Sequence, residues 1–363
     1  MEIRVLTLND FRNASVSKIE FCDGVNVICG SNGAGKTNIL EAIFYFAAGK
    51  SFRNCKDREL IRFGCEKARI EMSFDSRSVN KKMSAVLSKN ARRAIRIGNS
   101  SPLTLSNYIG QFRAVIFTPD HLNLVKGSPE NRRKFMDLAI CQSFPRYASS
   151  LSEYNRILMQ KQALLKRKNP QKELLEIYNE RLSSLAAIIT VNRRKYIAKL
   201  EQEAKKFLFD MSEGREELQI SYQSHAGEAE TQEEIREKYK AIFSEKMDYE
   251  IERYMTYYGS HRDDFVISVN KKSARHYASQ GQQRSIVLSL KLAEGELSAQ
   301  LTGEYPVFLL DDILSELDKD RKNYILSRLP NRQVIITGCE SEVFESDGFG
   351  KRIFVQNGII TEL

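Results

Sequence analysis

A glycine-rich run from Gly30 to Thr37 constrains the fold of this 363-residue chain more than any other feature. The run reads Gly30, Ser31, Asn32, Gly33, Ala34, Gly35, Lys36 and Thr37. It fits the pattern GxxxxGK[ST]. The apolar run Val25 to Cys29 precedes it, and Lys36 to Ala48 places apolar residues at helical spacing. A strand, this loop and a helix in that order predict a P-loop, whose backbone N–H groups and helix N-terminus bind phosphates.

Two side chains of this loop, and two acids far along the chain, predict how nucleotide is bound. Lys36 is expected to reach the β- and γ-phosphates of ATP, and the Thr37 hydroxyl to bind Mg²⁺. Such a site needs an acid at the end of a neighbouring strand, and the apolar run Val307 to Leu310 is followed by Asp311 and Asp312. We therefore predict Asp311 as a ligand in the Mg²⁺ shell and Asp312 as the general base.

Two further segments resemble motifs of ABC-type ATPases. One resembles the signature loop, whose Ser and Gly contact the γ-phosphate held by the other subunit. It consists of Ser279, Gln280, Gly281, Gln282 and Gln283. The other resembles the D-loop, with Ser315 and Asp318 as candidate residues. The alternative for each segment is an ordinary helix cap. The order of the motifs implies a head-to-head homodimer, because each ATP needs groups from two chains.

The middle of the chain differs in character from both ends. Helical periodicity dominates from Pro129 to Tyr258, and Lys168 to Gln171 separates two apolar stripes. This pattern predicts an antiparallel helix pair. The segment from Ser212 to Thr231 is rich in Glu, Gly and Ser and is expected to be flexible.

Both ends of the chain predict one α/β domain. Short alternating segments from Arg69 to Ile97 indicate a small antiparallel sheet, and the C-terminal segment indicates a hairpin that turns at Asn357 and Gly358. The predicted fold class is α/β, an ABC-type P-loop ATPase head with an inserted helical lobe. The predicted head comprises residues 1–125 plus 259–363, and the predicted lobe comprises residues 126–258.

The charge balance is compatible with a polyanionic partner such as nucleic acid. Lys and Arg number 56 against 47 Asp and Glu, a formal net charge of +9. Residues 1–100 hold 18 basic and 10 acidic residues, so most of the excess lies in the part that holds the P-loop. Within it, residues 81–96 contain no acid, and this stretch is either a solvated hairpin or a surface that faces DNA phosphates. The candidates for DNA binding are Lys81, Lys82, Lys89, Arg92, Arg93 and Arg96.

Other features bear on the compartment. No run approaches the ~18 apolar residues of a membrane helix, and the N-terminus lacks the layout of a signal peptide. The sequence therefore predicts a cytoplasmic protein with no membrane association. The cysteines are scattered without CxxC pairs, which favours reduced thiols over disulfides or zinc.

The chain resembles the RecF family of bacterial recombination-mediator ATPases over nearly its full length. The residues that carry the resemblance are Phe11–Asn13, the P-loop, Lys50–Arg53, Gly127–Pro129 with Arg132 and Arg133, Gly259–Asp264, Ser279–Gln283 and Leu309–Asp318. The resemblance implies an ATP-dependent homodimer that binds double-stranded DNA near single-strand gaps or junctions. It also implies that the protein works with RecO and RecR and helps to load RecA.

The resemblance further implies a Mg²⁺-dependent, DNA-stimulated ATPase. Asp312 stands where many relatives have the longer Glu, which favours slow hydrolysis. Two other functions stay open. One is an ABC-type ATPase subunit that drives a different, membrane-bound partner. The other is a scaffold gated by nucleotide, with negligible turnover.

Three positions have alternative interpretations. The Q-loop of ABC-type sites corresponds either to Gln111 or to the turn Thr118–Pro119–Asp120. Thr337 stands where such sites often have a His, which predicts a weaker switch contact. His261 is either a catalytic or DNA contact, or a histidine satisfied within the structure.

Overall fold

The computed structural model of the chain describes residues 1–329, 332–338, 350–356 and 358–362. By their contacts, the residues form two compact units. The first comprises Met1–Leu122 and Val287–Leu363, and the second comprises Asn123–Ile286. The boundaries differ from the predicted ones, because residues 123–125 and 259–286 belong to the second unit. For residues 259–286 the reason is strand pairing, described below, that ties this segment to residues of the predicted lobe.

The secondary structure alternates between strands and helices at both ends of the chain. The strands are β1 (Glu2–Phe11), β2 (Ala14–Glu20), β3 (Val25–Cys29), β4 (Lys67–Ser76), β5 (Val79–Ser88), β6 (Ala94–Ile97), β7 (Ala114–Phe117), β8 (Leu218–Gln223), β9 (Asp264–Val269), β10 (Lys272–Ser273), β11 (Val307–Asp311), β12 (Val334–Gly338), β13 (Lys351–Gln356) and β14 (Ile359–Glu362). The helices are α1 (Lys36–Ala48), α2 (Leu105–Tyr108), α3 (Asn123–Lys126), α4 (Pro129–Ser143), α5 (Pro145–Leu165), α6 (Lys172–Met211), α7 (Gln232–Glu245), α8 (Met247–Arg253), α9 (Ala274–Tyr277), α10 (Gln280–Thr302) and α11 (Lys319–Arg328).

A largely parallel sheet forms the centre of the first unit. Within the described ranges its strand order is β14-β13-β3-β12-β11-β7, and each neighbouring pair is parallel except β13 with β14. Strands β7, β11 and β12 are buried along their whole length, which is why they read as continuous apolar runs. The antiparallel β13–β14 pair confirms the predicted C-terminal hairpin, although Asn357 of its predicted turn lies outside the described residues.

A second sheet of the first unit is antiparallel, as the alternating segments predicted. Its order in the described part of the chain is β2-β1-β4-β5-β6. One face is buried and the other is open, because apolar residues alternate with polar ones along each strand. Along β4, for example, Ile70, Met72 and Phe74 are buried.

Helices make up most of the second unit. The predicted antiparallel pair is confirmed as α5 and α6, and α6 has 40 residues. Arg181 on α6 donates to Glu153 on α5 at 2.7 Å. None of the described helices has the length and apolar character that crossing a membrane requires.

The expectation of flexibility for residues 212–231 is wrong for part of that segment. Strand β8 lies within it and pairs with β9 over six positions, from Leu218↔Val269 to Gln223↔Asp264. The physical reason is the alternation of apolar Leu218 and Ile220 with polar neighbours, which gives the strand one face to bury. The β8–β9 pairing also explains why residues after 258 belong to the second unit.

A buried ion pair joins α5 to α8. Lys161 Nζ lies 2.6 Å from Glu250 Oε2, and both side chains are 1% exposed. Glu250 Oε1 also accepts the backbone N–H of Tyr257 at 2.8 Å. Burial lowers the pKa of Lys161, while the neighbouring carboxylate opposes that shift. Each charge therefore depends on the other for its solvation.

We expect Lys161→Met to destabilise the protein by about 3–5 kcal/mol, because it leaves the Glu250 carboxylate buried without its cation. Urea unfolding followed by helical circular dichroism measures the loss. Lys172→Met is the matched control, since Lys172 pairs with Asp248 on the same helix α8 but both side chains are exposed. Equal shifts of the unfolding midpoint in the two variants would contradict the prediction.

Candidate functional site

The glycine-rich loop lies between β3 and α1, as its sequence predicted. Gly33 and Gly35 adopt left-handed backbone conformations, with φ of 81° and 115°. A Cβ atom at Gly35 would lie 2.8 Å from side-chain atoms of Asn13. Asn13 Nδ2 in turn donates to the carbonyl of Ala34 at 2.9 Å. The turn between β1 and β2 therefore supports the glycine-rich loop through Asn13. The sequence motifs did not predict this role.

Lys36 extends across the loop. Its side chain is buried, and Nζ donates to the carbonyl of Gly30 at 2.8 Å and to that of Ser31 at 3.3 Å. The ammonium group is therefore held within the same loop whose N–H groups would receive phosphates. The contact of Lys36 with the β- and γ-phosphates stays a prediction.

The predicted Mg²⁺ residues Thr37 and Asp311 lie together. The Thr37 side chain hydrogen-bonds to Asp311 at the end of β11, and Thr337 Oγ1 donates to Asp311 Oδ1 at 3.0 Å. Burial raises the pKa of Asp311, and the two hydroxyls oppose that shift. A hydroxyl and one carboxylate fit Mg²⁺, which takes few protein ligands when phosphates supply the others. No group of three or more His, Cys, Asp or Glu residues suited to a metal occurs among the described residues.

Thr337 also fixes the position of Asp312. The backbone N–H of Asp312 donates to Thr337 Oγ1 at 2.9 Å. Asp312 has a φ of 49°, a strained conformation for a residue with a side chain. One threonine hydroxyl thus contacts both acids of the motif, where the sequence predicted only a weaker substitute for histidine.

Arg53 adds positive charge near these acids. Its charge lowers the pKa of Asp311 against the effect of burial. Its Nη1 donates to Asn38 Oδ1 on α1 at 3.0 Å. Arg53 belongs to the segment Lys50–Arg53, which is one of the segments that carry the family resemblance but for which the sequence predicted no role.

The D-loop candidates Ser315 and Asp318 both hydrogen-bond to backbone groups in the segment that follows β11. Ser315 Oγ donates to the carbonyl of Asp312 at 2.6 Å. The Asp318 carboxylate accepts the backbone N–H of Arg321 at 2.9 Å and caps α11. Both residues therefore have the helix-cap or turn role that the alternative interpretation gave them. The assignment to a D-loop stays a prediction.

The geometry favours the turn Thr118–Pro119–Asp120 over Gln111 as the Q-loop. Parallel pairing places Phe117 opposite Leu310, so the turn Thr118–Pro119–Asp120 follows β7 at the edge where Asp311 ends β11. Gln111 precedes β7 and lies at the other end of that strand.

The signature-like loop is part of the second unit. Ser279 and Gln280 are exposed, and Gly281 lies in the first turn of α10. Helix α10 begins at Gln280, and Ser279 caps it. The backbone N–H of Gln282 donates to Ser279 Oγ at 3.2 Å.

The basic candidates of residues 81–96 divide into different environments. Lys82 is exposed and Arg96 lies opposite Ser84, so both belong to the open face of the antiparallel sheet. Lys81 is half-buried opposite Phe74. Lys89 and Arg92 lie in the connection between β5 and β6, and Lys89 Nζ lies 3.7 Å from Glu66 Oε1.

Arg93, a candidate for DNA binding, makes contacts within the fold. Its Nη1 donates to the carbonyl of Gly49, which caps α1, and to the Tyr45 hydroxyl at 3.2 Å. The guanidinium also lies 3.4 Å from Asp57. These contacts bind Arg93 to the end of α1.

His261 makes one side-chain contact within the fold, while its Nε2 is buried without a hydrogen-bond partner among the described residues. Its Nδ1 lies 2.9 Å from the Tyr154 hydroxyl. Burial lowers its pKa to about 3, so the imidazole is neutral near pH 7. This environment does not suit a cationic DNA contact.

Comparison with known proteins agrees with this arrangement. The sequence model of the RecF/RecN/SMC N terminal domain matches residues 2–361. The DNA replication and repair protein RecF of Geobacillus kaustophilus (strain HTA426) is 40% identical over 349 residues, which are 94% of each chain.

Two solved structures are also similar. The recombination mediator protein RecF-ATPrS of the RecFOR pathway has a TM-score of 0.93 and 35% identity, covering 99% of this chain and 98% of that chain. The RecF-ATP structure has a TM-score of 0.92 and 36% identity, covering 100% of this chain and 97% of that chain. The predicted α/β fold of an ABC-type ATPase head is confirmed. The chain belongs to the RecF/RecN/SMC family, and within it to the RecF proteins.

Proposed function

We propose that this protein is a cytoplasmic, Mg²⁺-dependent ATPase of recombinational DNA repair and replication restart. The observation that carries the proposal is the meeting of Thr37 and Asp311 beside the loop that holds Lys36. Relatives named for DNA replication and repair, and a solved RecF-ATP structure, support it.

The residues of the site have separate tasks in this proposal. The P-loop N–H groups and the Lys36 ammonium bind and orient the phosphates of ATP. Thr37 and Asp311 would hold Mg²⁺, which neutralises charge on the β- and γ-phosphates when bound. Asp312, positioned by Thr337, accepts a proton from the attacking water. An Asp reaches less far than a Glu, so hydrolysis is slow.

Dimerisation completes each site. Ser279 and Gly281 of one protomer contact the γ-phosphate bound by its partner, so ATP closes a head-to-head homodimer. The closed dimer clamps double-stranded DNA near gaps or junctions, and hydrolysis releases it. With RecR and RecO as partners, the clamp assists RecA loading, in line with relatives of the RecFOR pathway.

The open face of the antiparallel sheet is the proposed DNA contact. Lys82 and Arg96 lie beside a groove of about 800 Å³ on this face, and Ser73 and Ser84 line it between them. Neither cation has an ion-pair partner within the described ranges of the chain. The acid in the groove, Glu71, already pairs with Arg69 at 2.6 Å. Free cations beside small hydroxyl side chains suit the DNA backbone.

Replacing the two proposed catalytic groups should separate binding from turnover. We expect Lys36→Ala to lose ATP binding and ATP-dependent retention on DNA, because the phosphates lose their cation. Asp312→Asn should keep ATP binding and lose most of the turnover, since an amide cannot accept the proton. Equilibrium binding of ATP and phosphate release with and without duplex DNA measure both effects. Equal turnover of Asp312→Asn and wild type would favour the alternative of a nucleotide-gated scaffold. A turnover rate that duplex DNA does not change would favour the alternative of an ATPase subunit that drives a different partner.

The signature assignment predicts a variant that binds ATP as a monomer. Ser279→Arg should leave ATP affinity unchanged, because Ser279 lies outside the P-loop, and should abolish ATP-induced dimerisation by placing a bulky side chain at the contact. Sedimentation velocity with ATP and ADP measures the oligomeric state. Dimerisation equal to that of wild type would reject the contact in trans.

The DNA face predicts a change in salt dependence. The double variant Lys82→Ala, Arg96→Ala should reduce the slope of log affinity against log salt by roughly two phosphate contacts. A control with the same charge change is Lys205→Ala, Lys206→Ala, whose lysines pair with Glu217 and Glu203. Gel shifts on duplex, gapped and single-stranded DNA measure the slopes. The same slope in both double variants would mean that net charge, and not this face, binds DNA.

A further inference from the structure

A reciprocal pair of hydrogen bonds shapes the loop before α10. The backbone N–H of Gln282 donates to Ser279 Oγ at 3.2 Å, and the backbone N–H of Ser279 donates to Gln282 Oε1 at 2.8 Å. This is a capping box, in which each side chain satisfies a backbone donor of the other residue. Gln283 adds support from the other side, because its Nε2 donates to the carbonyl of Ala278 at 2.6 Å.

The cap uses only part of the hydrogen-bonding capacity of Ser279. A hydroxyl has one proton to donate and two lone pairs that accept. Accepting the Gln282 N–H fixes the oxygen and leaves the proton free. The exposed Ser279 hydroxyl can therefore cap the helix and donate to a phosphate at the same time.

Glu216 holds the other end of the Gln282 amide. Gln282 Nε2 donates to Glu216 Oε1 at 2.9 Å, which directs the amide oxygen of Gln282 to the Ser279 N–H. The Ser279 N–H, which needs an acceptor, and the Glu216 carboxylate, which needs a donor, therefore favour the same orientation of the amide. The contact is partly buried and therefore stronger than the same contact in water.

Glu216 itself is held on both sides. It follows the long helix α6, and its backbone N–H donates to Ser212 Oγ at 3.0 Å. Asn270, in the turn between β9 and β10, accepts the N–H of Glu217 at 2.8 Å and donates to the carbonyl of Arg215 at 3.1 Å. The segment after α6 is thus anchored where it contacts the signature-like loop.

We propose that Glu216 is a positioning residue for the trans signature contact: through Gln282 it fixes the Ser279 hydroxyl for the γ-phosphate bound by the partner. This inference rests on the proposed function, in which Ser279 acts in trans. It also connects the segment that follows the 40-residue helix α6 to the nucleotide-dependent contact.

Exchanging the two side chains tests the hydrogen bond. Gln282→Glu alone places two carboxylates side by side and should weaken the ATP-bound dimer roughly tenfold or more. Glu216→Gln alone keeps an acceptor oxygen and should dimerise close to wild type. In the double variant Glu216→Gln, Gln282→Glu, the new amide at 216 donates to the new carboxylate, which still accepts the Ser279 N–H. Dimerisation should therefore recover.

A matched control separates the hydrogen bond from net charge. Glu216→Ala, Gln282→Glu has the same charge as the exchanged pair but lacks the donor at position 216. In this control, the dimer fraction that sedimentation measures with ATP should therefore remain low. The kcat at saturating ATP should remain low as well. ATP affinity of the monomer should be unchanged in every variant, because the P-loop is intact, and circular dichroism checks folding.

The outcomes also separate this inference from the proposed function. If Ser279→Arg abolishes dimerisation but the exchanged pair is no better than its alanine control, the positioning role of Glu216 is rejected and the trans contact stands. If Ser279→Arg dimerises as wild type does, the trans contact fails first, and the inference fails with it.

Discussion

Parallel pairing of β3, β12 and β11 is the constraint on which the nucleotide site depends. The registers place Asp311 opposite Thr337, and Thr337 opposite Ile28, just before the P-loop. Because parallel strands end at one edge, residues separated by hundreds of positions meet there. A slip of one residue in β11 would turn Asp311 to the opposite face of the sheet, and a slip of one residue in β12 would do the same to Thr337. The buried apolar residues of these strands therefore determine the geometry of the polar site.

The local part of this site could be predicted from the sequence. The P-loop and the two acids follow apolar runs of strand length, and each motif has a spacing set by its own backbone. Thr337 replaces the histidine that is frequent in such sites, yet its contact with both acids depends on strand order, which no local pattern encodes. Asn13 and Arg53 are similar cases, since their partners lie on α1, in the loop before it, or at the end of β11.

Charge and composition predicted the environments of residues less well than hydrophobic periodicity did. Arg93 belonged to a basic run without acids, but its partners are the end of α1, Tyr45 and Asp57. A count of charges does not distinguish such an internal contact from the exposed side chain of Arg96. Residues 212–231 had the composition of a flexible segment, yet Leu218 and Ile220 gave β8 a buried face. For the same reason the sequence did not predict a role for Glu216, which precedes that strand.

Helix caps and nucleotide contacts were posed as alternatives for several residues, and the structure indicates that they are compatible. Ser279 caps α10, Asp318 caps α11, and Ser315 holds the carbonyl of Asp312. A group that is already fixed by the fold loses little further freedom when a ligand binds. Such a cap favours a phosphate contact only where it leaves the required atom free. The Ser279 hydroxyl meets that condition because the capping bond uses a lone pair and not the proton.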